Sequence, residues 1–119
     1  MNVKEMTRLA IEALEDKKAE DISIIDISEV SVLADYFVIA GGNNHSQIQA
    51  LADSVEEKLG RAGSTPRQIE GYDSANWILL DYYDVMIHIF DNATRDFYSL
   101  ERLWNDAAPV DVSDIVTEN

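Results

Sequence analysis

The run Gly71-Tyr72-Asp73-Ser74-Ala75-Asn76-Trp77-Ile78-Leu79-Leu80-Asp81, continued by Asp84-Val85-Met86-Ile87-His88-Ile89-Phe90, decides the fold. It reads as two strands joined by a tight turn at Tyr82-Tyr83. β-branched and large apolar residues fill both arms, as a pleated surface buried in a core requires. Alternation along the first arm puts Trp77, Leu79 and Asp81 on one face and Ile78 and Leu80 on the other. Trp77, Asp81 and His88 thus enter a sheet that carries no recognisable catalytic set. That combination points to a surface for holding a partner rather than for turning over a substrate.

Working outward, Met6, Leu9, Ala10, Ala13 and Leu14 repeat at helical spacing and predict an amphipathic helix over 2–16. Ile22, Ile24, Ile25 and Ile27 form a β-branched run typical of a buried strand. A connector over 28–35 leads to a second strand, Tyr36-Phe37-Val38-Ile39-Ala40, ended by Gly41-Gly42. Asn43 or Asn44 caps the next helix, whose apolar stripe is Ile48, Leu51, Ala52, Val55 and Leu59, and Gly60 or Gly63 ends it. Pro66 lies in the following loop, and residues 67–70 read as a short strand. Beyond the hairpin, Asn92 or Thr94 starts a last helix with Phe97, Leu100 and Trp104 on one side and Tyr98 and Glu101 on another. Periodicity fades after Pro109, and residues 110–119 hold three acids and no base. The expectation is one domain over 1–108 and an acidic flexible tail over 109–119. The fold class is α/β, a layered sandwich with a mixed sheet of about five strands.

A chain of 119 residues with 46% hydrophobic residues can bury one core. With no cysteine there is no disulfide framework, zinc–thiolate site or Cys nucleophile. No apolar run reaches the ~18 residues of a membrane span, and the N-terminus lacks the layout of a signal peptide. A cytoplasmic protein is expected. Nine Lys and Arg against 23 Asp and Glu give a net charge of −14. Such a surface repels phosphate backbones and anionic membranes, so neither direct nucleic-acid specificity nor a membrane partner is expected. A basic protein partner would be drawn in by steering, although acidity also serves solubility alone.

Gly41-Gly42 stands between a strand and a helix, where phosphate cradles form. Neither the G-x-G-x-x-G spacing nor a P-loop Lys is present, so glycines that let the chain turn explain it better. The layout resembles minimal nucleotidyltransferases, which hold Mg²⁺ on paired carboxylates. Asp81 and Asp84 are the candidates, but they bracket a turn and there is no same-face acid two residues on. His45 and His88 are the only histidines, and His88, between Ile87 and Ile89, reads as a hydrogen-bonded sheet histidine. No catalytic residue, metal or cofactor is expected. The aromatic residues Trp77, Tyr82, Tyr83, Phe97, Tyr98 and Trp104 gather in the last third. Phe97 and Trp104 are expected in the core, as large aromatics mostly are. Trp77, beside acids and near tyrosines read as exposed, has the make-up of an interface hot spot.

These residues resemble the Iojap/RsfS family of ribosomal silencing factors. The likeness is carried by Asp35-Tyr36-Phe37-Val38-Ile39 with Gly42, the helix start Gln47 to Asp53, Glu70-Gly71, Trp77 to Asp81, Asp84 to Phe90, and Arg95 to Trp104, in that order and spacing. The resemblance implies a factor without enzymatic activity. It implies binding to the large ribosomal subunit through ribosomal protein L-fourteen, a steric block on subunit joining, and lowered translation when nutrients run short. The implied fold is similar to a nucleotidyltransferase without its catalytic carboxylates, and free members form homodimers. The alternatives are a nucleotide-binding enzyme and a role in large-subunit assembly.

The expected partner-binding residues are Trp77, Asp81, Tyr82, His88, Tyr98 and Glu101. Two departures from the family pattern stand out. Tyr83 occupies a turn position where the family usually has Gly, so the turn is either wider or strained. Asn44 and Ser46 stand where the family often has Ser and Arg; Asn44 still caps, and any contact made by that Arg is lost.

Overall fold

Asn2 starts the first helix by accepting the Glu5 N–H on its side-chain oxygen at 2.8 Å. The computed structural model describes residues 2–29, 31–32, 34–93 and 108–110. The elements are α1 (Val3–Asp16), β1 (Glu20–Asp26), β2 (Tyr36–Gly42), α2 (His45–Arg61), β3 (Gln68–Glu70), β4 (Trp77–Asp81), β5 (Val85–Asp91) and β6 (Ala108–Val110).

Both helices end on the same device. After α1, Ala19 N–H reaches the Leu14 carbonyl and Lys18 N–H reaches that of Glu15, with Lys18 at φ +62. After α2, Ser64 N–H bonds to Leu59 and Gly63 N–H to Gly60, with Gly63 at φ +92. These are Schellman ends. Of the two expected caps at the start of α2, Asn44 is the one, accepting from Gln47 N–H at 2.8 Å. Of the two expected glycines, Gly63 ends the helix and Gly60 lies within it.

One mixed sheet runs β3-β4-β5-β2-β1-β6. β2 and β5 pair in parallel, with α2 in the crossover between them; every other pair is antiparallel. The sixth strand, β6, lies beyond the expected count of about five. Pro109 sits in it opposite Ile25, and proline is tolerated there because β6 is an edge. The sheet therefore reaches two residues past the expected domain boundary at 108. The remainder of the expected tail, 111–119, and the expected helix beyond Ala93 lie outside the described residues.

Alternation divides the core. Ile24, Val38, Ala40, Ile78, Leu80, Ile87 and Ile89 face α1 and α2, meeting Ile11, Leu14, Leu51, Val55 and Leu59. Fully burying such a side chain is worth about 2 kcal/mol, so this layer carries the fold. The odd-and-even partners Ile25, Phe37, Ile39, Met86 and Phe90 form a second cluster, against which Trp77 and Leu79 pack half-buried.

Candidate functional site

The β4–β5 hairpin positions the candidate residues. Its register sets Trp77 opposite Phe90, Leu79 opposite His88 and Asp81 opposite Met86. Trp77 and His88 are therefore diagonal neighbours on one face, within reach of long side chains. The Trp77 indole Nε1–H donates to His88 Nδ1 at 3.0 Å. Phe37 lies 4.6 Å from the imidazole and Phe90 lies 4.8 Å from the indole, both tilted.

His88 is buried, and loss of hydration pushes its pKa down to about 4. The ring is thus neutral at neutral pH. Because an indole only donates, Nδ1 must accept and Nε2 must carry the proton. Nε2 is buried without a hydrogen-bond partner among the described residues. His88, one of the expected partner-binding residues, is 4% exposed and lies next to Trp77, because its strand face is the second apolar cluster.

Asp81 also departs from expectation. It is 0% exposed and does not face outward. Its Oδ2 accepts from Arg67 Nε at 3.1 Å and from a second guanidinium nitrogen, while Oδ1 accepts from Tyr83 N–H at 2.9 Å. A carboxylate taken from water needs such partners, so Asp81 is spent inside the chain. Among the described residues, no group of three or more His, Asp or Glu is placed to hold a metal ion.

Tyr82 is a further correction. Alternation continues past the strand end, so Tyr82 follows Ile78 and Leu80 into the helix-facing core, where it is 1% exposed. Burial, with Glu56 adding repulsion, pushes its phenol up to about 12. Its hydroxyl has no partner among the described residues. The exposed turn tyrosine is Tyr83, at 59%.

The turn stays tight. Tyr82 N–H bonds to the Val85 carbonyl, leaving the two-residue loop Tyr83-Asp84, and Asp84 N–H bonds back to the Tyr82 carbonyl. Tyr83 accordingly sits at φ +70, the strained one of the two expected outcomes. The Arg67 guanidinium lies 5.6 Å from its ring centroid, a cation–π contact that offsets part of the strain. Arg67 was not foreseen. The available signal was its isolation: it is the only Lys or Arg between Arg61 and Arg95, and it sits across from a strand-end acid. Tyr98 and Glu101 lie outside the described residues.

Gly42 earns its place by close approach, since a Cβ there would stand 2.9 Å from Ile48 Cγ1. A cleft of about 680 Å³ opens at this end of the parallel pair, lined by Asn43, Asn44, His45, Ser46, Asp91, Asn92 and Ala93. Several of its polar groups are already hydrogen-bonded. Asn44 caps α2, Asn43 and Asn92 both donate to Glu20, and His45 meets Asn76 at 3.2 Å. Those hydrogen bonds from Asn92 and Asn43 hold the Glu20 carboxyl below its usual range. A phosphate would meet this carboxylate and Asp91, which disfavours the cradle reading.

Open to a partner on and beside the hairpin are the half-buried pair Trp77 and Leu79, the exposed turn residues Tyr83 and Asp84, and Arg67 over the Tyr83 ring. Comparison with known proteins gives this geometry a context. A family model described as "Ribosomal silencing factor during starvation" matches residues 1–119. The ribosomal silencing factor of Bacillus subtilis is 40% identical over 112 residues, covering 94% of this chain and 95% of that protein. A mouse protein, "Mitochondrial assembly of ribosomal large subunit protein 1", is 30% identical over 99 residues, covering 81% of this chain and 43% of its own length. A crystal structure of a Chromobacterium violaceum protein superposes with a TM-score of 0.86 at 42% identity, covering 87% of each chain.

Proposed function

Because this chain belongs to the ribosomal silencing factor family, we propose that it binds the large ribosomal subunit through ribosomal protein L-fourteen. Bound there, it blocks joining of the small subunit and lowers translation in the cytoplasm when nutrients are limiting. The single observation that carries this reading is the family match across residues 1–119. The net charge of −14 supports it, since an acidic module is steered toward a basic ribosomal protein.

The docking surface proposed is the second face of the sheet around Trp77 and Leu79. Trp77 offers a large, rigid apolar area, and a half-buried ring loses little entropy on docking. Tyr98 and Glu101 are proposed to extend the surface from the chain beyond β5. When free of ribosomes, the same apolar area is proposed to pair two copies of the chain.

Titration of purified L-fourteen into the protein tests the partner. Binding that weakens as salt rises is expected, because exposed charge pairs are screened over ~8 Å near physiological ionic strength. Capture of intact large subunits with no affinity for isolated L-fourteen would move the contact elsewhere on the subunit. A second reading, a role in building the large subunit, is favoured by the name of the mouse relative. Accumulation of large-subunit precursors in cells lacking the protein, with subunit joining unchanged, would select it.

A further inference from the structure

We infer that His88 is a positioning residue whose Nδ1 lone pair fixes the orientation of the Trp77 indole on the docking face. The inference rests on the reading that Trp77 belongs to that face. Its starting point is geometric. Trp77 and His88 are diagonal neighbours across β4 and β5, and the indole N–H reaches Nδ1 at 3.0 Å. Rings on the same face limit how the pair can move: Phe37 packs 4.6 Å from the imidazole, and Phe90 stands 4.8 Å from the indole and 6.3 Å from the imidazole.

The chemistry of the imidazole strengthens the point. His88 lies among the apolar residues Ile25, Ile27, Ala34, Phe37, Ile39, Met86 and Phe90. A Leu or Phe would fill that volume without placing a polar ring in an apolar layer. His88 has a buried Nε2–H with no acceptor among the described residues, an arrangement that costs stability. What the imidazole supplies that Leu or Phe cannot is an acceptor for the indole. Burial keeps the ring unprotonated throughout the neutral range, so that acceptor is always present. Trp77 is half-buried, and the hydrogen bond adds a directional restraint to its ring contacts. Holding it in one orientation reduces the ordering cost when a partner docks.

This account predicts that stability and binding move in different directions, which a purely structural histidine would not produce. In His88→Leu, the Trp77 indole N–H resonance should shift and exchange faster with solvent. The other tryptophan, Trp104, serves as the internal reference. The melting temperature should hold or rise, and affinity for purified large subunits should fall about tenfold, the net worth of one hydrogen bond. His88→Asn, which keeps a carbonyl oxygen near the position of Nδ1, should restore the indole resonance and part of the affinity. It also serves if His88→Leu fails to fold. An unchanged indole resonance in His88→Leu, or a shifted resonance with wild-type affinity, overturns the inference. Trp77→Ala, measured alongside, separates the two claims. If it binds like the parent, the docking reading has failed. If it loses binding while His88→Leu keeps it, only the positioning role has failed.

Discussion

The Arg67 guanidinium closes over the Asp81 carboxylate, which has no exposure to solvent although Arg67 itself keeps 53% of its side chain exposed. The pair ties the loop before β3 to the end of β4. A backbone bond from Arg67 N–H to the Asp81 carbonyl at 2.7 Å adds to it. The same guanidinium covers the Tyr83 ring, so one base organises a buried acid and a strained turn together.

Removing Arg67 therefore strands a buried charge. Arg67→Ala is expected to cost about 2 kcal/mol, less than the ~3–5 of a pair wholly removed from water, because water reaches the guanidinium. Replacing both residues with apolar ones together should cost less than Arg67→Ala alone. Urea unfolding of the two variants checks this. A loss below about 0.5 kcal/mol in Arg67→Ala would mean that Asp81 is solvated.

Tyr82 carries a hydroxyl in a core that gives it no partner among the described residues. Tyr82→Phe should leave stability unchanged or raise it by up to about 1 kcal/mol. The folded-state phenol titrates near 12 against an ordinary value of 10.0. Stability should therefore be intact below pH 10 and decline as pH rises toward 12, with a weaker decline in Tyr82→Phe. Chemical denaturation across that range, with absorbance of the tyrosinate, measures both.

Acid acts through His88. Its folded pKa of about 4 lies below the ordinary 6.5, so between those values the unfolded chain binds the extra proton. Burying neutral His88 carries no protonation penalty above pH 6.5, and stability should fall as pH drops from there toward 4, by up to about 3 kcal/mol. Denaturation midpoints at pH 7.5 and 5 measure the slope. His88→Leu should flatten it within that window, and an equal slope in the variant would contradict the assignment.

Gly71 sets the backbone just before the hairpin. It sits at φ +78, and a Cβ there would meet the Trp77 carbonyl oxygen at 2.2 Å. Gly71→Ala should cost about 3 kcal/mol, because backbone strain and a rigid clash add. Lys18→Gly is the opposite case. Lys18 holds a left-handed helix end without glycine's freedom, so the change should raise stability by about 0.5–1 kcal/mol. Thermal melts of both variants give the test, and the same sign for both would contradict it.

The hairpin strands and both described helices could be read from periodicity, because apolar spacing and caps act locally. Asn44 and Gly63 were among the expected ends for the same reason. The short edge strand β6 was not legible: three residues with a proline acquire strand geometry only by pairing with β1. Around the candidate site, the strand and face of Trp77 were legible, but the surroundings of its neighbours were legible only in part. Asp81 drew attention as a charge, but its fate depends on Arg67, 14 residues earlier. Tyr82 could have been placed by carrying the alternation of Ile78 and Leu80 one step further. His88 was rightly read as a hydrogen-bonded sheet histidine, yet its partner, Trp77, becomes visible only once the strand register is known.

The central claim is that this chain holds the large ribosomal subunit and keeps the small one away. Sucrose-gradient sedimentation of the protein with purified subunits tests it most directly. The account predicts that the protein travels with the large subunit, leaves the small subunit alone and lowers the joined-ribosome peak in proportion to its concentration. Joined ribosomes forming undiminished at saturating protein would contradict it.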